Sequence, residues 1–192
     1  MSRKNFGAKP YSFPQPVFII ASYGEDGTPC AMNAAWCGIS NNSEVSMCIS
    51  AGHKSTKNIL AKGAFTISMA DAAHVAECDY FGIASGNKVA NKIEAAGMTV
   101  SKAEFVDAPV INELAVCMEC RLASYDPETR IMKGEIVNVS VDEAALTDGT
   151  VDVAKVRPIT FDPFNNAYYV VGEKVGDAWD SGKKFMWQRT TS

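Results

Sequence analysis

The end of one apolar run, together with the hydroxyl and lysine residues that follow it, could bind an anion. An alternating apolar run ends at Ser50, a short glycine-containing turn follows, and Ser55 and Thr56 stand where a helix should begin. Backbone N–H groups at a helix N-terminus lack partners and carry the positive end of the helix dipole, so such an end binds phosphate readily. Lys54 and Lys57 add two positive charges. This pattern predicts a phosphate site; the alternative is a capped surface helix that follows a strand.

The segment from Asn33 to Trp36 could hold a planar group. Ala34 and Ala35 are small enough for a ring to approach the backbone, and Asn33 offers both a hydrogen-bond donor and an acceptor. Trp36 supplies an aromatic face. The alternative is a tightly packed strand with a tryptophan in the core.

Two later segments offer further binding groups. Ser85 and the glycine after it open a predicted helix on which Lys88 and Lys92 lie four residues apart and share a face. This face could close over a phosphate dianion, or it could simply meet solvent. Residues 157–164 are rich in proline and aromatic side chains, which favours a rigid lid or, alternatively, a packed loop over the end of a barrel.

Length and charge exclude several classes of protein. The 192 residues predict a single domain spanning residues 1–192, large enough to bury a continuous core. A net charge of −4 leaves no basic stripe for nucleic acid, so we expect no nucleic-acid partner. No run approaches the roughly 20 apolar residues of a membrane helix, and no apolar signal core precedes the early prolines. We therefore expect a cytoplasmic protein that does not bind membranes.

The cysteines are expected to be reduced and buried. All six lie mostly in apolar surroundings. Cys117 and Cys120 sit in a predicted strand, where their odd spacing sends the two sulfurs to opposite faces, so we expect neither a disulfide nor a metal site. Cys48 shares a strand face with Ser50 and could contact a bound ring; an inert buried thiol is the alternative.

Alternation and turn residues predict a β-rich domain with short helices. The predicted strands are 17–23, about 30–36, 44–50, 64–69, 114–125, 131–141 and 167–172; the predicted helices are 56–62, 71 to about 81, and 88–96. Gly63 and Gly97 are predicted helix C-caps. Residues 1–13 are interpreted as an N-terminal extension and residues 173–192 as a C-terminal arm. Six or seven strands with two or three short helices favour a β-barrel flanked by helices.

Motifs for acid–base or nucleophilic catalysis are missing from the sequence. The only histidines are His53 and His74, and no Gly-x-Ser-x-Gly, His-Glu-x-x-His or Gly-x-Gly-x-x-Gly pattern occurs in a suitable context. We assign no catalytic residue and no metal ligand. A phosphate-type site without catalytic groups favours a bound cofactor that carries the chemistry itself.

Taken in order, these segments are similar to the flavin reductase-like family of FMN-binding split barrels, and most similar to its flavoredoxin branch. The similarity extends over roughly residues 14–172. The segments that carry it are Pro16-Val17-Phe18-Ile19-Ile20, Asn33-Ala34-Ala35-Trp36, Ser50 through Thr56 with Asn58, Gly63-Ala64-Phe65, Ser85-Gly86 with Asn91-Lys92, and Arg157-Pro158-Ile159.

The resemblance implies a mainly β (α+β) fold, an FMN-binding split β-barrel with short flanking helices. It also implies a homodimer with FMN near the subunit interface. The segment 33–36 would line the flavin ring, Phe164 would cover it, and Cys48 would lie close by.

On the same resemblance, the phosphate would bind at Ser50, Ser55 and Thr56, with Lys92 supplying positive charge. The full set of residues implied to bind FMN is Asn33, Ala34, Ala35, Trp36, Cys48, Ser50, Ala51, Gly52, Ser55, Thr56, Asn58, Ser85, Lys92 and Phe164.

One departure from the family pattern concerns the electron donor. Members that use nicotinamide commonly carry a Gly-Asp-His turn where this chain has Asp126-Pro127-Glu128-Thr129-Arg130. Three functions therefore stay open: an FMN-dependent electron carrier between a donor and an acceptor such as other redox proteins, an NAD(P)H-dependent flavin reductase, and a non-enzymatic FMN-binding module. Oxidation of NADH or NADPH by the purified protein would distinguish the second from the others.

Overall fold

The computed structural model describes residues 1–186, and its centre is a curled antiparallel β-sheet. The strands of the described chain are β1 Gln15–Pro16, β2 Phe18–Tyr23, β3 Pro29–Ala34, β4 Cys37–Asn41, β5 Glu44–Cys48, β6 Ala64–Met69, β7 Val100–Lys102, β8 Pro109–Ile111, β9 Val116–Asp126, β10 Ile131–Val141, β11 Leu146–Thr147, β12 Thr150–Val151, β13 Ile159–Asp162 and β14 Ala167–Val170. The α-helices are α1 Lys54–Lys62, α2 Val75–Ile83, α3 Lys92–Ala95 and α4 Val153–Val156; 3₁₀ turns occur at Glu143–Ala145 and Lys183–Phe185.

The central sheet has seven strands in the order β3-β2-β6-β9-β10-β5-β4. Three small sheets accompany it: β1-β13-β14, β7-β8 and β11-β12. The long hairpin β9-β10 joins the two halves of the sheet, because β6 pairs with β9 on one side and β5 pairs with β10 on the other. The strands predicted at 64–69 and 131–141 coincide with β6 and β10.

Alternate side chains of the sheet fill the inside of the curl. Ile20, Phe65 and Met132 are fully buried there, and Ile59 of α1 joins them, so that α1 packs against this interior. Gly134 permits the close packing, since a Cβ at that position would lie 2.4 Å from the Phe65 ring. The opposite face of the sheet packs under α2 and α3 in a second apolar cluster.

Helix α1 begins two residues earlier than predicted, and its cap differs from the prediction. His53 is the N-cap residue and makes no side-chain capping hydrogen bond. Ser55 and Thr56 lie inside the first turn and are buried, so the prediction that they cap the helix is wrong. The C-cap prediction is confirmed: Gly63 has φ 69°, and its N–H donates to the Ile59 carbonyl over 2.8 Å.

Strand β4 was not predicted, because it is short and its sequence is polar. The strand predicted to reach residue 36 ends at Ala34, and Trp36 lies in the bend before β4. The Trp36 side chain is 57% exposed. It is therefore not a core tryptophan.

The helix predicted over 88–96 is only the four-residue α3, because residues 85–91 form turns. Lys88 is exposed whereas Lys92 is 2% exposed, so the prediction that the two lysines share a face is wrong. The C-cap residue of α3 is Ala96, not the predicted Gly97, which follows it with φ 74°.

The prolyl-aromatic segment 157–164 is not a free lid. Four of its residues form β13, which pairs with β1 on one side and β14 on the other. Residues 1–13 contain no helix or strand, and residues 173–182 are irregular or turn. The part of the predicted C-terminal arm at 187–192 lies outside the described residues.

The described residues include no helix long and apolar enough to cross a membrane. All six cysteines are free. Cys120 faces the interior of the curl, whereas Cys117, three residues earlier in β9, lies on the other face beside Thr66 and Ser68. Within residues 1–186 no group of three or more His, Cys, Asp or Glu side chains could hold a metal ion.

Candidate functional site

Two adjoining cavities lie beside the N-terminal end of α1. The first, of about 300 Å³, is called the helix cavity because the start of α1 and the end of α2 line it. The second, of about 380 Å³, is called the strand cavity because the ends of β3 and β5 line it. Met32, Asn33 and His53 line both, so the two cavities share a wall.

Lys92 is the most unusual side chain of the helix cavity. Only 2% of the residue is exposed, and its ammonium donates to the backbone carbonyls of Phe81 (2.9 Å) and Ala84 (2.7 Å) at the end of α2. Burial lowers the pKa of Lys92, because removal from water disfavours the charged form. An ammonium group has three N–H donors. The two carbonyls occupy two of them and leave one for a ligand in the cavity.

The turn at Ser85 and Gly86 closes another side of the helix cavity. A Cβ on Gly86 would lie 2.6 Å from the Cys30 sulfur and 3.2 Å from the Lys54 Cβ, so only glycine permits this approach. The Asn87 amide donates to the Gly52 carbonyl over 3.0 Å and ties the turn to the loop before α1. The turn is therefore held against the first residues of the helix.

Ser55 faces the same cavity from the first turn of α1. Its hydroxyl is buried, and its contact is the Cys30 sulfur at 4.0 Å, which is a weak interaction. The Ser55 hydroxyl is therefore available as a donor to a stronger acceptor such as a phosphate oxygen.

The strand cavity combines small and aromatic side chains. Ala34 and Ala35 line it next to Trp36, and Phe161 of β13 lines it as well. The Cys48 N–H donates to the Trp36 carbonyl over 2.9 Å, which holds the ends of β5 and the 35–36 bend together. A planar ring can lie against such a surface.

The remaining predicted residues on the cavity walls are Cys48, Ser50 and Asn33. Cys48 and Ser50 line the strand cavity at the end of β5. Asn33 lies between the two cavities, and its amide nitrogen donates to the Cys78 carbonyl over 3.0 Å. That bond leaves the Asn33 side-chain oxygen as an acceptor at the junction.

All charged side chains that line the two cavities are basic. Lys54 and Lys92 line the helix cavity and Arg130 lines the strand cavity, with His53 shared. Among residues 1–186, no aspartate or glutamate lines either cavity, although the whole chain carries a net charge of −4. The site is therefore electrostatically suited to an anionic ligand.

Five predicted site residues do not line either cavity. Ala51 and Gly52 are exposed in the turn before α1, and Thr56 is fully buried below it. Asn58 is 3% exposed, and its amide nitrogen has no hydrogen-bond partner among the described residues. Phe164 stacks on Phe13 instead, with ring centroids 5.2 Å apart and planes 13° apart.

Sequence reasoning missed His53, Arg130 and Phe161 as lining residues. The signal for Arg130 was present: Ile131 pairs with Cys48 in the β5-β10 ladder, which places the preceding residue beside Ile49. Phe161 lies in the aromatic segment 157–164, in which the resemblance points to Phe164 instead. His53 carries no signal beyond being one of two histidines in the sequence.

The residues present fit a ligand with a planar ring at one end and a phosphate at the other. The buried ammonium of Lys92 keeps a free donor in the helix cavity, and the alanines with Trp36 offer a flat apolar wall in the strand cavity. Asn33 and His53 stand between these two ends. A flavin mononucleotide has this arrangement of parts.

Comparison with known proteins agrees with this geometry. A family model described as "Flavin reductase like domain" matches residues 11–160. The structure of flavoredoxin from Desulfovibrio vulgaris (Miyazaki F) is similar with a TM-score of 0.90 and 35% identity, covering 94% of this chain and 100% of that one. Flavoredoxin from Methanosarcina acetivorans is similar with a TM-score of 0.83 and 25% identity, covering 97% and 99%.

A third solved structure, the FMN-binding domain of a flavin reductase-like enzyme from Shewanella baltica OS155, shares the fold at 18% identity. Its TM-score is 0.76, over 85% of this chain and 89% of that one. The predicted split-barrel fold is thus confirmed. With the family model matching about four fifths of its length, the chain belongs to the flavin reductase-like family.

Proposed function

We propose that this protein is an FMN-binding flavoprotein of the flavoredoxin type, which transfers electrons through bound FMN. The observation that carries the proposal is the pairing of the two cavities: a buried ammonium with a free donor in one, and a flat apolar wall in the other. The likeness to two flavoredoxins over nearly the whole chain supports it.

On this proposal the phosphate of FMN lies in the helix cavity. Lys92 supplies a charged donor there, Ser55 and Ser85 supply hydroxyls, and the first turn of α1 supplies backbone N–H groups and the positive end of its dipole. Charge-assisted hydrogen bonds of this kind are about twice as strong as neutral ones.

The flavin ring lies in the strand cavity. The small side chains of Ala34 and Ala35 admit it to the backbone, Trp36 and Phe161 exclude water beside it, and Ser50 offers a hydroxyl. Flavins carry out one- and two-electron transfer themselves, so the protein contributes binding, orientation and electrostatics. This agrees with a site to which we assign no catalytic residue.

The electron donor is proposed to be a redox-partner protein or NAD(P)H. The turn that carries histidine in nicotinamide-using members here contributes Arg130 to the strand cavity. That replacement supports a partner protein as the donor. We also propose a cytoplasmic location, which suits six free cysteines.

A homodimer is proposed on the basis of an aromatic surface beside the strand cavity. Tyr11, Phe13 and Phe164 pack on one another, and Tyr11 also borders a depression with Trp36. Phe13 is 55% exposed and Trp36 57% exposed. Burial of these rings against a second subunit would stabilise a dimer, and light scattering on the purified protein measures its mass.

Anaerobic absorption titration tests the function. The purified protein is loaded with FMN and titrated in turn with NADH, NADPH and dithionite. Bleaching by dithionite or by a reduced partner protein alone identifies an electron carrier, and prompt bleaching by a pyridine nucleotide identifies a reductase. If bound FMN is reduced by dithionite but passes electrons to no acceptor protein, the chain is a binding module. A protein that takes up no FMN contradicts the proposal.

A further inference from the structure

Arg130 occupies a backbone conformation that its residue type disfavours. It has φ 61°, in the left-handed region that glycine and asparagine adopt at lowest cost. Arg130 ends the turn between β9 and β10, and its carbonyl accepts from the Ile49 N–H over 2.9 Å. The turn thus places an arginine where glycine would be less strained, which motivates a search for what its side chain does.

The Arg130 side chain lines the strand cavity without a carboxylate partner. None of the ion pairs found within residues 1–186 includes Arg130. Its cavity neighbours with ionisable side chains are His53, which is also basic, and the thiol of Cys48. Arg130 is exposed, and its guanidinium is always protonated, so it brings a permanent positive charge to the cavity wall.

We infer that Arg130 sets the reduction potential of the bound flavin by favouring the reduced ring over the oxidised ring. The inference rests on the proposed function. The oxidised ring is neutral; uptake of two electrons from a reductant and one proton from solvent leaves it with a single negative charge at neutral pH. A cation in the ring cavity therefore attracts the reduced ring more than the oxidised ring.

The same reasoning separates Arg130 from the lysines of the helix cavity. The phosphate of FMN keeps its charge in both redox states, so Lys92 and Lys54 bind oxidised and reduced FMN about equally. Only a cation close to the ring distinguishes the two states. Arg130 is the permanently charged side chain among the residues that line the strand cavity.

The test measures the affinity of the protein for oxidised and for reduced FMN, together with the midpoint potential. Arg130→Gln is expected to lose at least about tenfold more affinity for reduced than for oxidised FMN, which corresponds to a potential lowered by about 30 mV for a two-electron couple. Arg130→Lys retains most of the preference. Arg121→Gln is the matched control, because Arg121 is exposed on β9 and lines neither cavity.

Arg130→Gly keeps the test valid if the glutamine variant folds poorly. Glycine suits φ 61°, so this variant is expected to melt at the same temperature as the parent protein or higher, and yet to show the lowered potential. Equal losses of affinity for both redox states, or the same shift in Arg121→Gln, would overturn the inference. If the parent protein did not bind FMN at all, the proposed function would be overturned as well. That result differs from the results that overturn only the inference about Arg130, in which the parent protein binds FMN.

Discussion

The hydroxyl of Thr56, in the first turn of α1, donates to the backbone carbonyl of Ser50 over 2.8 Å. Ser50 lines the strand cavity, whereas the residue next to Thr56 lines the helix cavity. This part-buried hydrogen bond thus ties the segment after β5 to the start of α1. It sets the spacing between the two halves of the site.

Replacing Thr56 with valine is expected to weaken both stability and FMN binding. The substitution removes this donor from the Ser50 carbonyl, which keeps the His53 N–H at 3.1 Å, so the expected cost is about 0.5–1.5 kcal/mol in the free energy of unfolding. Thr56→Ser keeps the hydroxyl and is the control. Urea unfolding measures the stability, and fluorescence titration measures the affinity for FMN. Equal stability and equal affinity of the valine and serine variants would show that the hydrogen bond is unimportant.

Lys92→Met is expected to reduce FMN affinity by about 10- to 100-fold, the effect of losing a charged hydrogen-bond donor. Methionine has a similar length without the charge. Lys88→Met serves as the control, since Lys88 is exposed and lines neither cavity. Riboflavin, which lacks the phosphate, should bind the parent and the Lys92 variant with similar affinity. A similar loss of affinity for FMN and for riboflavin would show that Lys92 supports the fold and does not bind the phosphate.

FMN affinity is expected to fall at alkaline pH. Phosphate binding requires protonated Lys92, and burial lowers the pKa of Lys92 from its ordinary 10.5. FMN should bind most tightly at neutral pH, and its affinity should decline as the pH rises through the lowered pKa of Lys92. Calorimetric titration over a pH series, with circular dichroism to check folding, measures the decline. A Lys92→Met variant with the same pH profile would contradict the assignment.

Gly86→Ala is expected to displace the 85–86 turn and weaken FMN binding. The added methyl group would meet the Cys30 sulfur at 2.6 Å. Adding Cys30→Ala should restore part of the affinity, with a coupling of about 0.5–3 kcal/mol between the two changes. Gly52→Ala is the control, because a Cβ there would meet only the Ser50 hydroxyl, at 3.8 Å. If the effects of the two substitutions on FMN affinity were strictly additive, the predicted clash would be excluded.

Alkylation should distinguish Cys48 from the core thiols. Burial raises the pKa of Cys117 to about 11 and that of Cys37, Cys78 and Cys120 to about 12, which leaves little thiolate at moderately alkaline pH. Cys48 is half-buried and lines the strand cavity.

Mass spectrometry after iodoacetamide treatment should find Cys48 modified before those four cysteines, and FMN should protect it. Unchanged labelling of Cys48 in the presence of saturating FMN would place the ring elsewhere.

The central strands could be predicted because successive side chains along each strand point alternately to the buried face and to the opposite face of the sheet. This holds for β6 and β10, whose predicted bounds coincide with the observed ones. Strands β4, β7 and β13 are short, and they exist because a partner strand lies beside them. Local sequence carries little information about such pairing.

The structure brings predicted site residues together where a motif lies at an element boundary. Ser55 at the start of α1 and Ser85 after α2 converge on one cavity, together with Lys92. Arg130 could be found only by pairing two strands distant in sequence. Phe164 lies beyond a turn held by Asp162, whose carboxylate accepts from the Phe164 N–H over 2.8 Å, and that turn carries its ring towards Phe13.

Lys92 is anchored to the two carbonyls at the end of α2, and this anchoring affects how the cofactor binds. Because those carbonyls already hold the ammonium in place, the proposed phosphate-binding end of the site is shaped before any ligand arrives. Association then requires little ordering of side chains, and such ordering is a main entropic cost of binding. The flavin can therefore dock into, and depart from, a preorganised protein without local refolding.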